Sequence, residues 1–236
     1  MKLSLRIRLM AEFLGTAFLL TAVVGSGIIG GQLASGKPAM ALLASTLAAV
    51  AVLVTLILAL MPVSGAHFNP AVTLALAWAG NFSWREAPAY VAAQCSGAFA
   101  GVAAAHGLLG MPLFSVATRP RNGVGQWLSE LAATFGLLCV LWACVRIRPS
   151  LIAYAVGIYV FAASLFTPST CFANPALTLA RSATDTLVGI RPADALPFMI
   201  VQILGAMAAT ALFRRLTAER SGGSELVEVA AESEAE

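Results

Sequence analysis

Residues 64–80 read Ser64-Gly65-Ala66-His67-Phe68-Asn69-Pro70-Ala71-Val72-Thr73-Leu74-Ala75-Leu76-Ala77-Trp78-Ala79-Gly80. A second version, Thr170-Cys171-Phe172-Ala173-Asn174-Pro175-Ala176-Leu177-Thr178-Leu179-Ala180, recurs late in the chain. In each, Asn-Pro-Ala opens a short apolar run of helical character. Pro70 and Pro175 suit the first helical position, where a missing N–H costs nothing. Asn69 and Asn174 suit the N-cap, where the side-chain oxygen accepts a bond from the first turn. The run from Pro70 to Ala79 rises roughly 15 Å, about half the hydrocarbon core of a bilayer. Two such half-helices, one entering from each face, would meet N-terminus to N-terminus at the midplane.

The rest of the chain fits that setting. Its 236 residues are 59% apolar and only 11% charged, with a mean hydropathy of +0.87. Soluble domains carry roughly 25% charged residues, so the composition is that of a polytopic membrane protein. The net charge of +3 does not point to nucleic acid, because the basic residues sit between apolar runs, where they orient a membrane protein. Cys95, Cys139, Cys144 and Cys171 lie in apolar surroundings without metal-ligand spacing; buried free thiols are the simple reading of the first three. Lys2, Arg6 and Arg8 precede a long apolar run with no clear cleavage site, which reads as an uncleaved first span.

Spans of about 20 residues are expected near 9–29, 40–61, 87–108, 126–145, 151–166 and 193–216, the fifth being short. The half-helices fall between spans two and three, and after span five. The two halves echo each other: Ala11-Glu12-Phe13-Leu14-Gly15-Thr16 resembles Ser129-Glu130-Leu131-Ala132-Ala133-Thr134, and Gln94 and Gly97 resemble Gln202 and Gly205. With three spans per half, the copies insert in opposite orientations, an inverted repeat with its site near the midplane. The expected fold is therefore an all-α membrane protein of six transmembrane helices and two re-entrant half-helices. The channel domain spans 1–216, with repeat one over 9–108 and repeat two over 126–216. The polar stretch 217–236, with Glu225, Glu228, Glu232, Glu234 and Glu236, is expected to be a disordered acidic tail.

An even number of spans puts both termini on one side. That side holds Lys2, Arg6, Arg8, Arg85, Arg146, Arg148, Arg214, Arg215 and Arg220; the other holds Lys37, Arg119, Arg121, Arg181 and Arg191. The excess favours cytoplasmic termini and a multi-pass protein of the cell (inner) membrane. Gly97-x-x-x-Gly101 and Gly205-x-x-x-Ala209 hold matching places in the two halves, where small residues let helices approach closely.

Irregular backbone at membrane depth must be buried or line water. The carbonyls of residues 64–68 and 170–173 lack helical partners and can accept bonds from a passing solute. Two facing helix N-termini place partial positive charge at one narrow lumen and oppose a cation. If the Asn oxygens cap the helices, the Asn NH2 groups are free to donate into the passage. Glu12 and Glu130, acidic residues at equivalent places inside spans one and four, are functional candidates by position. A structural role is preferred, since each non-helical loop has buried N–H groups that need an acceptor. His67 has no second ligand near it in sequence and is read as pore-lining or loop-bracing. No metal or cofactor is expected.

Together Ser64–Thr73 and the second Asn-Pro-Ala resemble the paired loops of the aquaporin, or major intrinsic protein, family, and the six-span inverted repeat extends the likeness over nearly the whole chain. The resemblance implies a homotetramer with one pore per subunit, no enzymatic activity, and passage of small uncharged solutes. It implies pore roles for Asn69, Pro70, Ala71, Asn174, Pro175 and Ala176, pore or loop roles for Gly65, Ala66, His67 and Phe68, and loop support from Glu12 and Glu130.

One departure concerns the outer constriction. Most members of the family have Arg directly after the second Asn-Pro-Ala; here that position is Leu177. Arg181 comes one helical turn deeper and is not assumed to replace it. Ungapped offsets from the two Asn residues place Ala49, Ala162 and Cys171 at the other filter positions. Two alanines, a thiol and a leucine make a wide, weakly polar ring, which disfavours strict water selection and favours larger neutral solutes. The chain thereby resembles an aquaglyceroporin-like bacterial subgroup associated with arsenic resistance. The expected cargo is polyols such as glycerol, metalloid hydroxides such as arsenite, methylated arsenicals and water, with protons and cations excluded. The alternative is an ion-leaky channel or a coupled transporter, since broken helices and inverted repeats serve there too. An intramembrane enzyme is disfavoured because the His, Cys and Glu residues are scattered over different spans.

Overall fold

A computed structural model describes residues 3–34 and 36–233, with the backbone alone described over 217–233. The elements are α1 (Leu5–Leu33), α2 (Pro38–Ser64), α3 (Pro70–Trp78), α4 (Ala87–Leu108), α5 (Val124–Ile147), α6 (Ile152–Phe166), α7 (Pro175–Ala180) and α8 (Pro192–Ser233). Six are long and two are short, in the expected places. Five of the long helices have the length and apolarity of a membrane span, α6 with the help of the 3-10 turn Pro149–Leu151 before it. The other, α4, is 22 residues long and more polar, because it carries Gln94 and His106, both buried.

Local chemistry sets the breaks. Helix α2 continues past Pro62 to Ser64 and stops at Gly65, whose φ of 91° is left-handed; glycine takes that conformation at little cost and ends the helix. Asn69 and Asn174 cap α3 and α7 as expected, accepting from Ala71 N in the first case and from Ala176 N and Leu177 N in the second. The stretch expected to be a disordered tail from Thr217 differs: α8 runs without a break to Ser233. The span ahead of it supplies the costly nucleus, and its Glu and Ala residues favour continuation, against about 1 kcal/mol each for Gly222 and Gly223. Residues 234–236 lie outside the described part.

Helix α4 packs on α1, and α8 on α5. A Cβ at Gly97 would lie 2.3 Å from Phe13 O, and one at Gly205 would lie 2.4 Å from Leu131 O, so these contacts need a residue without a side chain. The two halves interlock, because α3 touches α8 and α7 touches α4. Arg8 forms a two-pronged ion pair with Glu86, tying the start of α1 to the link after α3. Arg214 donates to Trp78 O at 3.4 Å, bringing the end of the α8 span to the same side. The links on the opposite side are stitched by backbone bonds from Ser115 N to Ala183 O and from Ala117 N to Ser182 O.

Candidate functional site: the paired loops and their cavity

Two non-helical loops, 65–69 and 167–174, carry the half-helices into the centre. Each bends through left-handed backbone at non-glycine residues: Ala66 and Phe68 in the first, Thr170, Cys171 and Ala173 in the second. Such residues cost about 1–3 kcal/mol apiece, so the surroundings must hold them.

The holding groups are the two buried carboxylates. Glu12 Oε1 accepts from Ser64 Oγ (2.6 Å) and His67 N (3.0 Å), while its Oε2 accepts from Phe68 N (2.7 Å) and Gln94 Nε2 (2.8 Å). Glu130 repeats the pattern: Oε1 accepts from Phe172 N (2.9 Å), and Oε2 from Ala173 N (2.8 Å) and Gln202 Nε2 (2.6 Å). Gln94 and Gln202 also donate to Thr73 Oγ1 and Thr178 Oγ1, which in turn donate to Asn69 O and Asn174 O. Neither carboxylate is among the residues that line the cavity. Their geometry is that of loop supports.

At the centre the loops cross. Asn69 Nδ2 donates to Ala173 O (2.8 Å), and Asn174 Nδ2 donates to Phe68 O (2.7 Å). The expectation that the Asn amides are free is corrected here: one hydrogen of each is held by the opposite loop, because the two N-termini approach within bonding distance. Each NH2 has two hydrogens, so one per residue is left for the lumen. The loop carbonyls also divide. Ser64 O, Phe68 O and Ala173 O have donors. Those of residues 65–67 and 170–172 receive none from any described residue, and all six residues line the cavity.

That cavity is about 350 Å³ and runs past both Asn69 and Asn174, from Leu42 and Val188 near one end to Val145 and Ile152 near the other. Of the expected residues, Gly65, Ala66, His67, Phe68, Ala49, Cys171 and Leu177 line it. Pro70, Ala71, Pro175 and Ala176 do not; they are buried and set the first helical turns. His67 both lines the cavity and braces the loop, with Nδ1 3.1 Å from Thr73 Oγ1 and its ring edge-on to Phe82.

Ala162 is misplaced by the ungapped offset. It is exposed on α6, and the α6 residues that face the cavity are Ile152, Val156, Val160 and Ser164, at helical spacing. The irregular stretch between Phe166 and Asn174 takes up a different length of chain than the offset assumes. Arg181 is also corrected. Because α7 runs outward from the Asn pair, one turn past Leu177 lies nearer the mouth, not deeper, and there Arg181 lines the cavity. Sequence reasoning missed Thr46, Ser164 and Val188 as lining residues. The i, i+3, i+4 recurrence of Leu42, Ser45, Thr46, Ala49, Val50 and Leu53 along α2 is the signal that finds the first.

An inverted six-span bundle whose half-helices abut beside a cavity running past both of them has the architecture of a channel-forming membrane protein. Comparison with known proteins agrees. The family model described as Major intrinsic protein matches residues 2–167. The chain is 47% identical over 209 residues to aquaglyceroporin AqpS of Rhizobium meliloti (strain 1021), covering 89% of each. It is 33% identical to aquaporin NIP1-4 of Oryza sativa subsp. japonica over 72% of this chain and 64% of that one. The X-ray structure of the aquaglyceroporin from Plasmodium falciparum superposes with a TM-score of 0.64 at 23% identity, covering 89% and 94%, a likeness of fold. The chain belongs to the major intrinsic protein family, whose members are channels and not enzymes.

Proposed function

We propose that the protein is a passive channel for small uncharged solutes: glycerol and similar polyols, metalloid hydroxides such as arsenite, methylated arsenicals, and water. The observation that carries this reading is the set of unengaged carbonyls at residues 65–67 and 170–172 along a mostly apolar cavity wall. A neutral solute that sheds water needs partners spaced along its path. The carbonyls accept from its hydroxyls, the free Asn hydrogens donate to its oxygens, and Leu177, Ala49 and Val160 leave room for its carbon or metalloid centre. The relatives named aquaglyceroporin support the same cargo class.

Protons and cations are excluded by the facing N-termini of α3 and α7 and by the two Asn donors, which hold a central water with its hydrogens turned outward. An ion-leaky channel or coupled transporter is the weaker reading, since among the described residues no carboxylate lines the cavity. We place the termini on the cytoplasmic side of the inner membrane, in line with the bias of basic residues. We assign a homotetramer, for which the exposed apolar side chains of α1 and α6, such as Phe18 and Ile158, offer contact area.

Light-scattering traces of proteoliposomes in glycerol and arsenite gradients test the cargo. Both solutes are expected to enter faster than in empty vesicles. Water flux with neither solute moving would overturn the substrate assignment.

A further inference from the structure

Arg181 is 5% exposed, yet it has no carboxylate partner: the ion pairs among the described residues are Arg8–Glu86 and Arg191–Asp194. Its Nε donates to Val188 O, and its guanidinium carbon sits 3.2 Å from the centroid of the Phe172 ring. These two contacts fix the plane of the group. Its Nη1 and Nη2 donate to no described residue, and neither is sealed in protein. They open on the cavity that Arg181, Phe172 and Val188 line together. Arg121 stands 4.8 Å from the same ring centroid, but its nitrogens are spent on Ser169 O, Leu187 O and Gly189 O. So of the two buried arginines at this end, one braces loops and the other presents its donors to the lumen.

An arginine is not deprotonated in a protein and carries five N–H donors in a rigid fork. With Nε engaged, four hydrogens remain for a passing molecule. The wall shared with Arg181 includes Leu177, Val188 and Ala49, which offer no side-chain donor, and Ser45 and Thr46, whose hydroxyls are neutral donors.

We propose that Arg181 is a specificity-determining residue of the outer mouth: it donates hydrogen bonds to the oxygens of an entering neutral solute and repels cations. The assignment rests on the channel reading above. It separates two properties: width is set where Leu177 stands, and polarity and charge are set one turn outward. A polyol or metalloid hydroxide would thus leave bulk water onto Arg181 first, and then pass to the loop carbonyls and the Asn pair.

The test compares wild type, Arg181→Met and Arg181→Lys in proteoliposomes, reading glycerol flux, water flux and potassium leak. Glycerol permeability relative to water is expected to fall about tenfold in Arg181→Met, since a bond from a charged donor is lost, and potassium leak is expected to rise. Arg181→Lys is expected to stay potassium-tight while losing glycerol preference, because it keeps the charge but not the fork. If wild type conducts glycerol and Arg181→Met keeps both the wild-type ratio and potassium tightness, the proposal is overturned. If Arg181→Met fails to yield folded protein, an unchanged glycerol-to-water ratio in Arg181→Lys overturns it equally. Wild type that moves neither glycerol nor arsenite instead sinks the substrate assignment on which the proposal rests.

Discussion

Asn69 Nδ2 lies 2.8 Å from Ala173 O, across a sequence separation of 104 residues. With its counterpart from Asn174 to Phe68, it joins the two half-helices into one unit. Each Asn therefore does three things at once: it caps its helix, clamps the opposite loop, and offers one hydrogen to the lumen. The loops are strained and buried, and their conformation depends on acceptors supplied by other helices.

Glu130→Gln is expected to destabilise the protein by about 2–4 kcal/mol, because the new NH2 faces the Ala173, Phe172 or Gln202 donors and leaves at least one of them buried without a partner. Glu12→Gln should behave alike, since its carboxylate is similarly engaged. Melting in detergent by near-UV circular dichroism reads the effect; a midpoint within a degree of wild type would show that the carboxylates are not the loop supports.

At Gly97, an added methyl meets Phe13 O. Gly97→Ala should cost about 1–3 kcal/mol as α1 and α4 are pushed apart. Gly25→Ala, where nothing lies within 4 Å of the new Cβ, should be neutral or stabilising by up to about 1 kcal/mol. The same melting experiment ranks the two, and equal midpoints would contradict the close α1–α4 packing.

Leu177 lines the cavity one turn inward of Arg181. Leu177→Arg narrows the passage with a second guanidinium, so glycerol and arsenite flux should fall at least about tenfold more than water flux, a differential of roughly 1.4 kcal/mol. Stopped-flow swelling in each solute gives the ratio. Equal loss for all solutes would mean that Leu177 does not set the width.

Among the four cysteines, Cys171 lines the cavity, and Cys95, Cys139 and Cys144 do not. A small mercurial should block wild-type flux, Cys171→Ser should resist it, and the serine variants of the other three should remain sensitive. Block persisting in Cys171→Ser would place the reactive thiol elsewhere.

Much of the architecture was legible because bilayer thickness and backbone satisfaction leave few choices for an apolar chain. The bounds of α4 follow the reading to the residue, and Pro70 and Pro175 start their helices where a proline costs least. The pairing of Glu12 with the first loop and Glu130 with the second was legible too, from the repeat and the need for acceptors. Ala162 was not, since counting back from Asn174 assumes a path through residues 167–173 that the strained loop does not take. Arg181 was misjudged for a different reason: half-helices that meet by their N-termini at the midplane run outward, so one turn past Leu177 already had to lie nearer the mouth.

From sequence alone came the number and kind of helices, the inverted repeat and the identity of the central Asn pair, because these rest on periodicity, capping and hydrophobic length. Only the tertiary structure decided which side chains line the passage, how the Asn amides share their hydrogens, and that Arg181 opens on the lumen. Those outcomes depend on how two distant loops are bent and pressed together, and contacts across more than a hundred residues leave no local pattern to read.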